Sequence, residues 1–341
     1  MLVLKATKRI GGRPLHALLA LLLLAWGCTN SADLDGGWWT EDGHQGDGDG
    51  GGDDGRDGAD AGDGADVGDD GPLDPLRLGS EDTFELATWN LHNFPADAQT
   101  VERVAALLQR MDLDLIGVEE VADQAAFEAL VAALPGYEGV LSDHEYGPGN
   151  YQKFGFILRS SVLQVRAWDT HFDDDEYNFP RPSLEVDFVA HAPGGAVRAF
   201  MAMGQHLKAG IAEDDQARRR AACLLLTARV DEVLLAGFVD QVVLLGDFND
   251  ELTDGAGDNV FQPFLDAPER YEPLSAAPYL EGTISYLTYP SMLDHLIATD
   301  SWLAGRGTPR VVVVPLDRAD LGYDYESAIS DHLPVVAILA W

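Results

Sequence analysis

The feature that most constrains the fold is a series of short apolar segments between residues 84 and 339, each bordered by polar residues. Apolar runs of this length predict buried β-strands. Two longer segments, 100–111 and 213–235, place apolar residues at helical spacing, and Asp123 is positioned to cap a third helix. Strands are predicted at 84–89, 113–118, 155–158, 185–190, 197–205, 241–245, 293–298, 311–314 and 334–339. Many strands with few helices predict two packed sheets with helices outside them.

Composition is consistent with a large folded domain and excludes several other classes of protein. The chain has 341 residues and is 46% hydrophobic, which excludes wholesale disorder, a collagen-like chain and a disulfide scaffold. The formal net charge is −36, and residues 80–341 alone carry 43 acidic and 16 basic residues, or −27. Such a charge argues against a protein that coats nucleic acid with a broad basic face. It leaves open an enzyme that reaches phosphates through bound metal ions.

The first 79 residues are typical of an export signal followed by a tether. Four basic residues precede an apolar run at 15–26, which is too short to span a bilayer and predicts a signal peptide over 1–28. The run ends in LAWGC (24–28), which resembles a bacterial lipoprotein signal with Cys28 as the lipidated residue; an ordinary signal peptide is the alternative. Residues 29–79 are rich in Asp and Gly and predict a disordered linker. We therefore expect an exported protein, anchored at the outer membrane or cell surface or else secreted.

Polar clusters at the ends of the predicted strands carry the candidate chemistry. They contain Asn, Asp and Glu, whose oxygen atoms suit Mg²⁺, Mn²⁺ or Ca²⁺ and do not suit a tetrahedral zinc site. Two of the five clusters that follow a predicted strand add a histidine that can serve as a general base or acid. The clusters are TWNL (88–91), GVEEV (117–121), GQHLK (204–208), LGDFND (245–250) and SDHLP (330–334), and a sixth, SMLDH (291–295), opens a strand. Hard metal ligands with histidines indicate hydrolysis of a phosphoester by activated water.

Taken in order, these segments resemble the endonuclease/exonuclease/phosphatase superfamily, which has the deoxyribonuclease I-like fold. The segments that carry the resemblance are Trp89-Asn90, Glu119-Glu120-Val121, His206, Gly246-Asp247-Phe248-Asn249, Asp294 and Ser330-Asp331-His332. The resemblance implies an α/β (α+β) four-layered sandwich for residues 80–341, with two mostly antiparallel sheets flanked by helices. Six segments in sequence are a far more specific signal than any one of them.

The resemblance also implies a role for each site residue. Glu120 resembles the main metal ligand, assisted by Asn90 and Asp331, with Mg²⁺ or Mn²⁺ as the expected ion and Ca²⁺ as a structural or auxiliary one. Asp247 and Asn249 resemble the pair that positions water and a phosphate oxygen. His332 resembles the general base, oriented by Asp294, and His206 the acid that assists the leaving oxygen.

Two departures from the family pattern stand in the sequence. Glu119 occupies a place where the family usually has Gln, and we expect its side chain to point away from Glu120 because strand neighbours face opposite sides. The segment 150–154 contains no acidic residue that could orient His206. His206 therefore lacks the orienting carboxylate that the resemblance implies for His332 in Asp294.

Three further residues are candidates for substrate binding. Arg181 lies in a proline-rich loop and Lys208 follows the central histidine, so both can contact phosphate. Tyr151 is the third candidate. A surface arginine in a loop is an equally good interpretation of Arg181, and His295 is expected to be a core residue.

Three functions are compatible with these observations. The leading hypothesis is a monomeric, lipid-anchored endonuclease that cleaves DNA or RNA and touches the membrane only through its anchor. The second is a phospholipid or sugar-phosphate phosphodiesterase or phosphatase that resembles bacterial sphingomyelinases. The third is a non-catalytic surface binding module on the same fold.

Overall fold

The computed structural model describes residues 74–147, 152–237, 239–253, 255 and 258–341. The predicted signal peptide with Cys28, most of the predicted linker, and Tyr151 lie outside the described residues. Among the helices of the described part, none is long and apolar enough to cross a membrane.

Twelve strands and seven α-helices make up the described part of the chain. The strands are β1 (Thr83–Phe94), β2 (Leu115–Val121), β3 (Tyr137–Leu141), β4 (Lys153–Arg159), β5 (Leu163–His171), β6 (Ser183–His191), β7 (Val197–His206), β8 (Val242–Asp247), β9 (Tyr271–Pro273), β10 (Asp294–Thr299), β11 (Arg310–Val313) and β12 (Val335–Ala340). The helices are α1 (Thr100–Met111), α2 (Gln124–Ala132), α3 (Glu213–Ala236), α4 (Gln262–Leu265), α5 (Ala276–Leu280), α6 (Asp300–Leu303) and α7 (Tyr325–Ala328). Asp123 caps α2, as predicted, by accepting hydrogen bonds from the backbone N–H groups of Ala125 and Ala126.

The strands form two six-stranded sheets. The first has the order β11-β12-β1-β2-β4-β3 and the second the order β5-β6-β7-β8-β10-β9. Each sheet contains one parallel pair, β1 with β2 and β7 with β8, and its other pairs are antiparallel. The predicted sandwich of two mostly antiparallel sheets is confirmed. All nine predicted strands are present, whereas β3, β5, β9 and the four short helices were not predicted.

Three apolar layers hold the sheets and helices together. The layer between the sheets contains Phe156, Phe188 and Phe200, all fully buried. A second layer packs the first sheet against α1 and α2, and a third packs the second sheet against α3. Cys223 lies buried in the third layer as a free thiol whose pKa is raised by burial, as expected for a structural cysteine.

The strand register places the polar clusters at one edge of the sandwich. The parallel strands β1 and β2 end together, and β7 and β8 pair so that His206 lies opposite Asp247. Antiparallel β10 begins where β8 ends, and this brings Asp294 opposite Asp247. The sheets approach closely here: a Cβ atom on Gly204 would lie 2.2 Å from Cε1 of Phe154, so only glycine fits at this position of β7.

Candidate active site

The adjacent glutamates at the end of β2, Glu119 and Glu120, lie in different environments because the strand bulges there. Glu120 adopts a left-handed backbone conformation with φ of 57° at a register shift between β1 and β2. Its Oε1 lies 3.4 Å from Asn90 Nδ2, and its Oε2 accepts a hydrogen bond from the Asn93 backbone N–H at 2.9 Å. Glu119 is fully buried, accepts a hydrogen bond from Thr88 Oγ1 at 2.5 Å, and has its pKa raised well above the usual range by burial. The Glu119 side chain thus occupies a separate, buried environment.

His332 forms a buried pair with Asp294. Nδ1 of His332 donates a hydrogen bond to Oδ2 of Asp294 at 2.8 Å, and Nε2 lies 4.0 Å from Oδ2 of Asp247. Burial alone would lower the pKa of His332, but the charge of Asp294, its hydrogen bond and the charge of Asp247 outweigh burial and raise the pKa to about 10. The second oxygen of Asp294, Oδ1, is buried and has no hydrogen-bond partner among the described residues. Asp294 therefore holds the His332 ring through Nδ1 and leaves Nε2 directed toward Asp247.

Asp247 stands at the centre of the cluster. Its Oδ2 accepts a hydrogen bond from Asn90 Nδ2 at 3.1 Å, and its Oδ1 accepts one from the backbone N–H of Asn249 at 2.9 Å. Burial and the nearby charge of Asp294 raise the pKa of Asp247 to about 7. Asn249 has φ of 56°, and its Nδ2 donates to the Leu207 carbonyl at 3.2 Å. Asn249 thereby fixes the loop after β8 against the loop after β7.

Arg181 and His206 form a second pair beside Asp247. Nη2 of Arg181 donates to Nε2 of His206 at 2.5 Å, and that nitrogen also lies 3.6 Å from Asp247 Oδ2 and 3.8 Å from Glu120 Oε1. Burial and the adjacent Arg181 charge lower the pKa of His206 well below its usual range, so its ring is neutral. Nδ1 of His206 is buried with no hydrogen-bond partner in the described part of the chain. Arg181 is thus a site residue. It supplies a positive charge beside His206, the residue that was predicted to act as the acid.

Asp331 is engaged by His92, a residue that the sequence analysis did not single out. Nδ1 of His92 and Oδ1 of Asp331 lie 2.7 Å apart, and His92 has φ of 46°. Burial alone would raise the pKa of Asp331, but the hydrogen bond from His92 and the charges of His332 and His92 lower it. The same hydrogen bond raises the pKa of His92. Its position two residues after Asn90, near the end of β1, is the one sequence signal that could have identified it.

Buried hydrogen bonds hold the segment that carries Asp331 and His332 against β1. Oγ of Ser330 donates to the Asn90 carbonyl at 2.6 Å and accepts from the backbone N–H of His332 at 2.9 Å. Trp89 Nε1 donates to the Tyr325 hydroxyl at 3.0 Å, and that hydroxyl donates to the His332 carbonyl. These contacts fix the distance between residues that are far apart in the sequence.

Two other polar residues of the motifs, Lys208 and His295, form contacts outside the carboxylate cluster. Lys208, a predicted substrate contact, forms an ion pair with Asp215 at 2.9 Å, so its charge is already neutralised. His295 is a core residue, as expected: its Nδ1 pairs with Ser275 Oγ and its Nε2 with the Asp250 carbonyl, both at 2.9 Å. Burial lowers its pKa to about 4, which keeps it neutral.

The donor set at this edge of the sandwich fits a hard cation. Among the described residues, one group of potential ligands converges to within 4.8 Å, and it consists of Asp247, Asp294 and His332. Carboxylate oxygens dominate it, and burial together with the charge of Asp294 raises the pKa of Asp247, so a bound cation would offset the repulsion between these two buried carboxylates. This group is shifted from the predicted ligands Asn90, Glu120 and Asp331 toward the second sheet. Asn90 joins the two sets, because its Nδ2 contacts both Glu120 and Asp247.

Comparison with known families agrees with this geometry. Residues 87–332 match the Endonuclease/Exonuclease/phosphatase family. The chain belongs to this family. The match spans the strands that carry Asn90 and Glu120 and ends at His332, so it covers the whole site. Members of the Endonuclease/Exonuclease/phosphatase family are phosphoester hydrolases that depend on divalent metal ions. No curated protein matches the sequence.

Solved structures share the fold at low sequence identity. D. rerio TDP2 with a single-strand DNA product is 15% identical over 76% of this chain and 99% of that chain, with a TM-score of 0.54. The human Nocturnin catalytic domain with bound sulfate is 14% identical over 78% and 94%, with a TM-score of 0.53. A mannosyl-6-phosphatase from Bacteroides thetaiotaomicron is 16% identical over 76% and 100%, with a TM-score of 0.52. These likenesses show the architecture of the family and leave the substrate open.

Proposed function

We propose that the chain is an exported, metal-dependent phosphodiesterase that hydrolyses nucleic acid by attack of water. The observation that carries the proposal is that the buried His332–Asp294 pair and the Arg181–His206 contact both adjoin Asp247, whose Oδ2 lies 4.0 Å from His332 Nε2 and 3.6 Å from His206 Nε2. A histidine paired with a carboxylate and a guanidinium thus lie beside one carboxylate cluster. That arrangement suits the attack of water on a phosphorus atom and the departure of an alkoxide.

Glu120, Asp331 and Asn90 are the proposed ligands of a divalent cation, Mg²⁺ or Mn²⁺, with Ca²⁺ as an auxiliary ion. Asp247 is the neighbouring carboxylate whose charge such a cation would balance. When bound, the cation would supply Lewis-acid stabilisation of negative charge on the phosphate oxygens.

His332 is the proposed general base. Asp294 holds the Nδ1–H of the imidazole, so Nε2 is the atom that faces the cluster and can accept a proton from water. The buried Asp294 carboxylate stabilises the imidazolium that forms. The carboxylate charges that raise the pKa of His332 to about 10 would be countered by a cation bound at the cluster, which would leave Nε2 unprotonated before water attacks. Asp294 is therefore a positioning residue that also sets the basicity of His332.

Arg181 is the proposed group that balances charge on the leaving side. His206 is neutral and accepts a hydrogen bond from Arg181, so it orients the guanidinium rather than delivering a proton from a cationic ring. A guanidinium in this place can bind two oxygens of a phosphate at once. We expect Arg181→Lys to impair catalysis more than an Arg→Lys change outside the site, since an ammonium group cannot bind two phosphate oxygens in the way a guanidinium does.

The proposal is tested with the purified full-length chain, plasmid DNA, RNA and oligonucleotides, with and without Mg²⁺ or Mn²⁺. Cleavage should require the metal and be lost in Glu120→Gln and His332→Ala. If none of these nucleic acids is cleaved under any metal condition, the nuclease assignment is wrong.

A second candidate keeps the chemistry and changes the substrate to a phospholipid or a sugar phosphate. The charge of −27 on residues 80–341 favours it, because polyanionic nucleic acid is repelled by an acidic surface. The mannosyl-6-phosphatase neighbour is a further reason to test it. Sphingomyelin, a phosphatidylinositide, mannose 6-phosphate and bis-p-nitrophenyl phosphate assayed in parallel would separate it from the nuclease. Metal binding without turnover of any of these would instead favour the non-catalytic binding module.

Export and lipidation are proposed from residues 1–28 alone. Expression of the full chain in a bacterium supplied with labelled palmitate should label the wild type and leave Cys28→Ser unlabelled. Signal cleavage without lipid incorporation would indicate an ordinary secreted protein.

A further inference from the structure

A turn beside His332 projects an aromatic ring into solvent. Tyr286 and Ser291 form an isolated bridge that closes the turn, and Tyr289 lies at its tip with 74% of its side chain exposed. Most of the Tyr289 ring is in contact with solvent, so packing within the protein does not account for a large aromatic side chain at this position. It is therefore a candidate contact for a ligand.

The turn is fixed to the catalytic segment by several contacts. Tyr286 also bridges to the backbone of His332, and its ring centroid lies 4.8 Å from the His332 ring at an interplanar angle of 38°. The Leu287 backbone N–H donates to the Asp331 carbonyl at 2.8 Å, and Thr288 Oγ1 lies 3.4 Å from Asp331 Oδ2. The turn thus holds its position relative to the site without a bound ligand.

The two tyrosines continue the row of rings that begins at His332. The centroid of Tyr289 lies 6.3 Å from that of Tyr286, and the rings are inclined at 46°. Pro290 follows Tyr289 and restricts its backbone, so little conformational freedom remains to be lost when a ligand binds. A planar ring of a substrate whose phosphate lies at His332 can therefore reach the exposed face of Tyr289.

The negative charge of the domain indicates whether this planar ring belongs to double-stranded or single-stranded nucleic acid. The net charge of −27 on residues 80–341 disfavours binding of a double helix along a broad basic face, and bases within a duplex are stacked on each other and closed to a surface side chain. In a single strand each base is free to stack on an aromatic side chain. We infer that Tyr289 stacks on the base next to the scissile phosphate, and that the preferred substrate of the proposed phosphodiesterase is single-stranded nucleic acid. This inference rests on the proposed function.

The test compares two oligonucleotides and four proteins. The oligonucleotides have the same sequence, but one carries an abasic residue beside a single cleavable phosphodiester and the other an ordinary nucleotide. The proteins are the full-length wild type, Tyr289→Ala, Tyr289→Phe and Leu235→Ala, where Leu235 is 88% exposed on α3 and serves as the control for loss of an exposed apolar side chain.

We expect the base to raise the kcat/KM of the wild type roughly 10-fold over the abasic substrate, as one stacked base does elsewhere. The advantage should persist in Tyr289→Phe and Leu235→Ala and disappear in Tyr289→Ala. The loss should be expressed in KM, because the stack is present in the ground state and in the transition state alike. Single strands should also be cleaved faster than the matching duplex.

Each contrary result has a distinct meaning. A base advantage that survives in Tyr289→Ala, or duplex cleavage as fast as single-strand cleavage, overturns the inference and leaves the phosphodiesterase intact. Failure of the wild type to cleave any oligonucleotide, while it hydrolyses another phosphoester, overturns the nuclease proposal itself.

Discussion

Arg306 is a buried arginine without a hydrogen-bond partner among the described residues. Its side chain is 1% exposed, and Nε, Nη1 and Nη2 are all unsatisfied. Its guanidinium carbon lies 4.7 Å from the ring centroid of Trp302 and 5.3 Å from that of Phe84. Burial, reinforced by the charge of Arg198, lowers its pKa to about 10. We therefore expect that replacing this charge with an apolar side chain stabilises the protein.

The magnitude follows from the pKa and the two ring contacts. An arginine in water has a pKa of ~12.5, so the lowered value corresponds to about 3 kcal/mol against the charged form. Each cation–π contact offsets about 0.5–2 kcal/mol of this. Arg306→Met keeps an unbranched apolar stem in the same space, and we expect it to raise the free energy of unfolding by about 1–2 kcal/mol. For a domain of this size the melting temperature should rise by about 2–6 °C.

Arg219 provides the matched control, since it is also buried but fully paired. Its Nη2 lies 2.8 Å from Asp250 Oδ2, and its Nη1 donates to the carbonyls of Lys208 and Gly210. Arg219→Met leaves the Asp250 carboxylate buried and unpaired, which should cost about 3–5 kcal/mol. Urea unfolding followed by tryptophan fluorescence, with calorimetry, measures both variants at pH 7. If Arg306→Met is no more stable than the wild type while Arg219→Met is destabilised, the ring contacts outweigh desolvation and the reasoning is refuted.

Three further predictions address the site and the sandwich. Glu120→Gln should lower kcat/KM roughly 100-fold or more, because it removes a proposed metal ligand. Glu119→Gln should leave kcat/KM close to wild type, because burial raises the pKa of the Glu119 carboxyl well above its usual range and a Gln side chain can still accept the hydrogen bond from Thr88. Equal losses in the two variants in steady-state assays would contradict the separation of the two side chains. Burial raises the pKa of Glu85 to about 8 from an unfolded value of ~4.3, so the folded state binds the extra proton and loses stability as pH rises between these values. Glu85→Gln should therefore melt higher than wild type at pH 9 and nearly equally at pH 4.5, and a constant difference across that range would refute the assignment. Gly204→Ala should lower the free energy of unfolding by about 1–3 kcal/mol, because its Cβ meets Phe154; a Phe154→Leu second change that recovers none of this loss would contradict the close-contact explanation.

The sequence predicted the central strands well, because continuous apolar runs are a strong local signal. It failed for β3 and β5, whose residues alternate less clearly, and for the three-residue β9. In β5 nearly every residue is partly exposed, so no apolar stripe marks it as a strand. Short elements of this kind form because neighbouring strands offer hydrogen bonds, which is information from tertiary structure rather than from local sequence.

Positions of side chains in the site were harder to predict than their identities. The left-handed backbone of Glu120 arises from a register shift between two strands, and nothing in the segment GVEEV specifies it. The contact of His92 with Asp331 joins residues 239 positions apart, and His92 lies in the part of β1 where the register with β2 shifts. Lys208 illustrates the converse, since its partner Asp215 lies close in sequence on α3. An ion pair within seven residues was open to prediction from charge spacing.

The division of the site between the two sheets has a consequence for how the protein becomes active. Asn90 and Glu120 belong to the first sheet, and Asp331 and His332 lie in the segment that leads into its strand β12, whereas His206, Asp247 and Asp294 belong to the second sheet. The first sheet thus carries the proposed ligands, but the base His332 needs Asp294 and the cluster needs Asp247 from the second sheet. The cluster comes into existence only when the two sheets dock, so cation affinity and docking are thermodynamically linked. A cation that binds the assembled cluster would shift the equilibrium toward the state in which the two sheets are docked. A chain whose sheets are docked incorrectly would be inactive even though each sheet is folded.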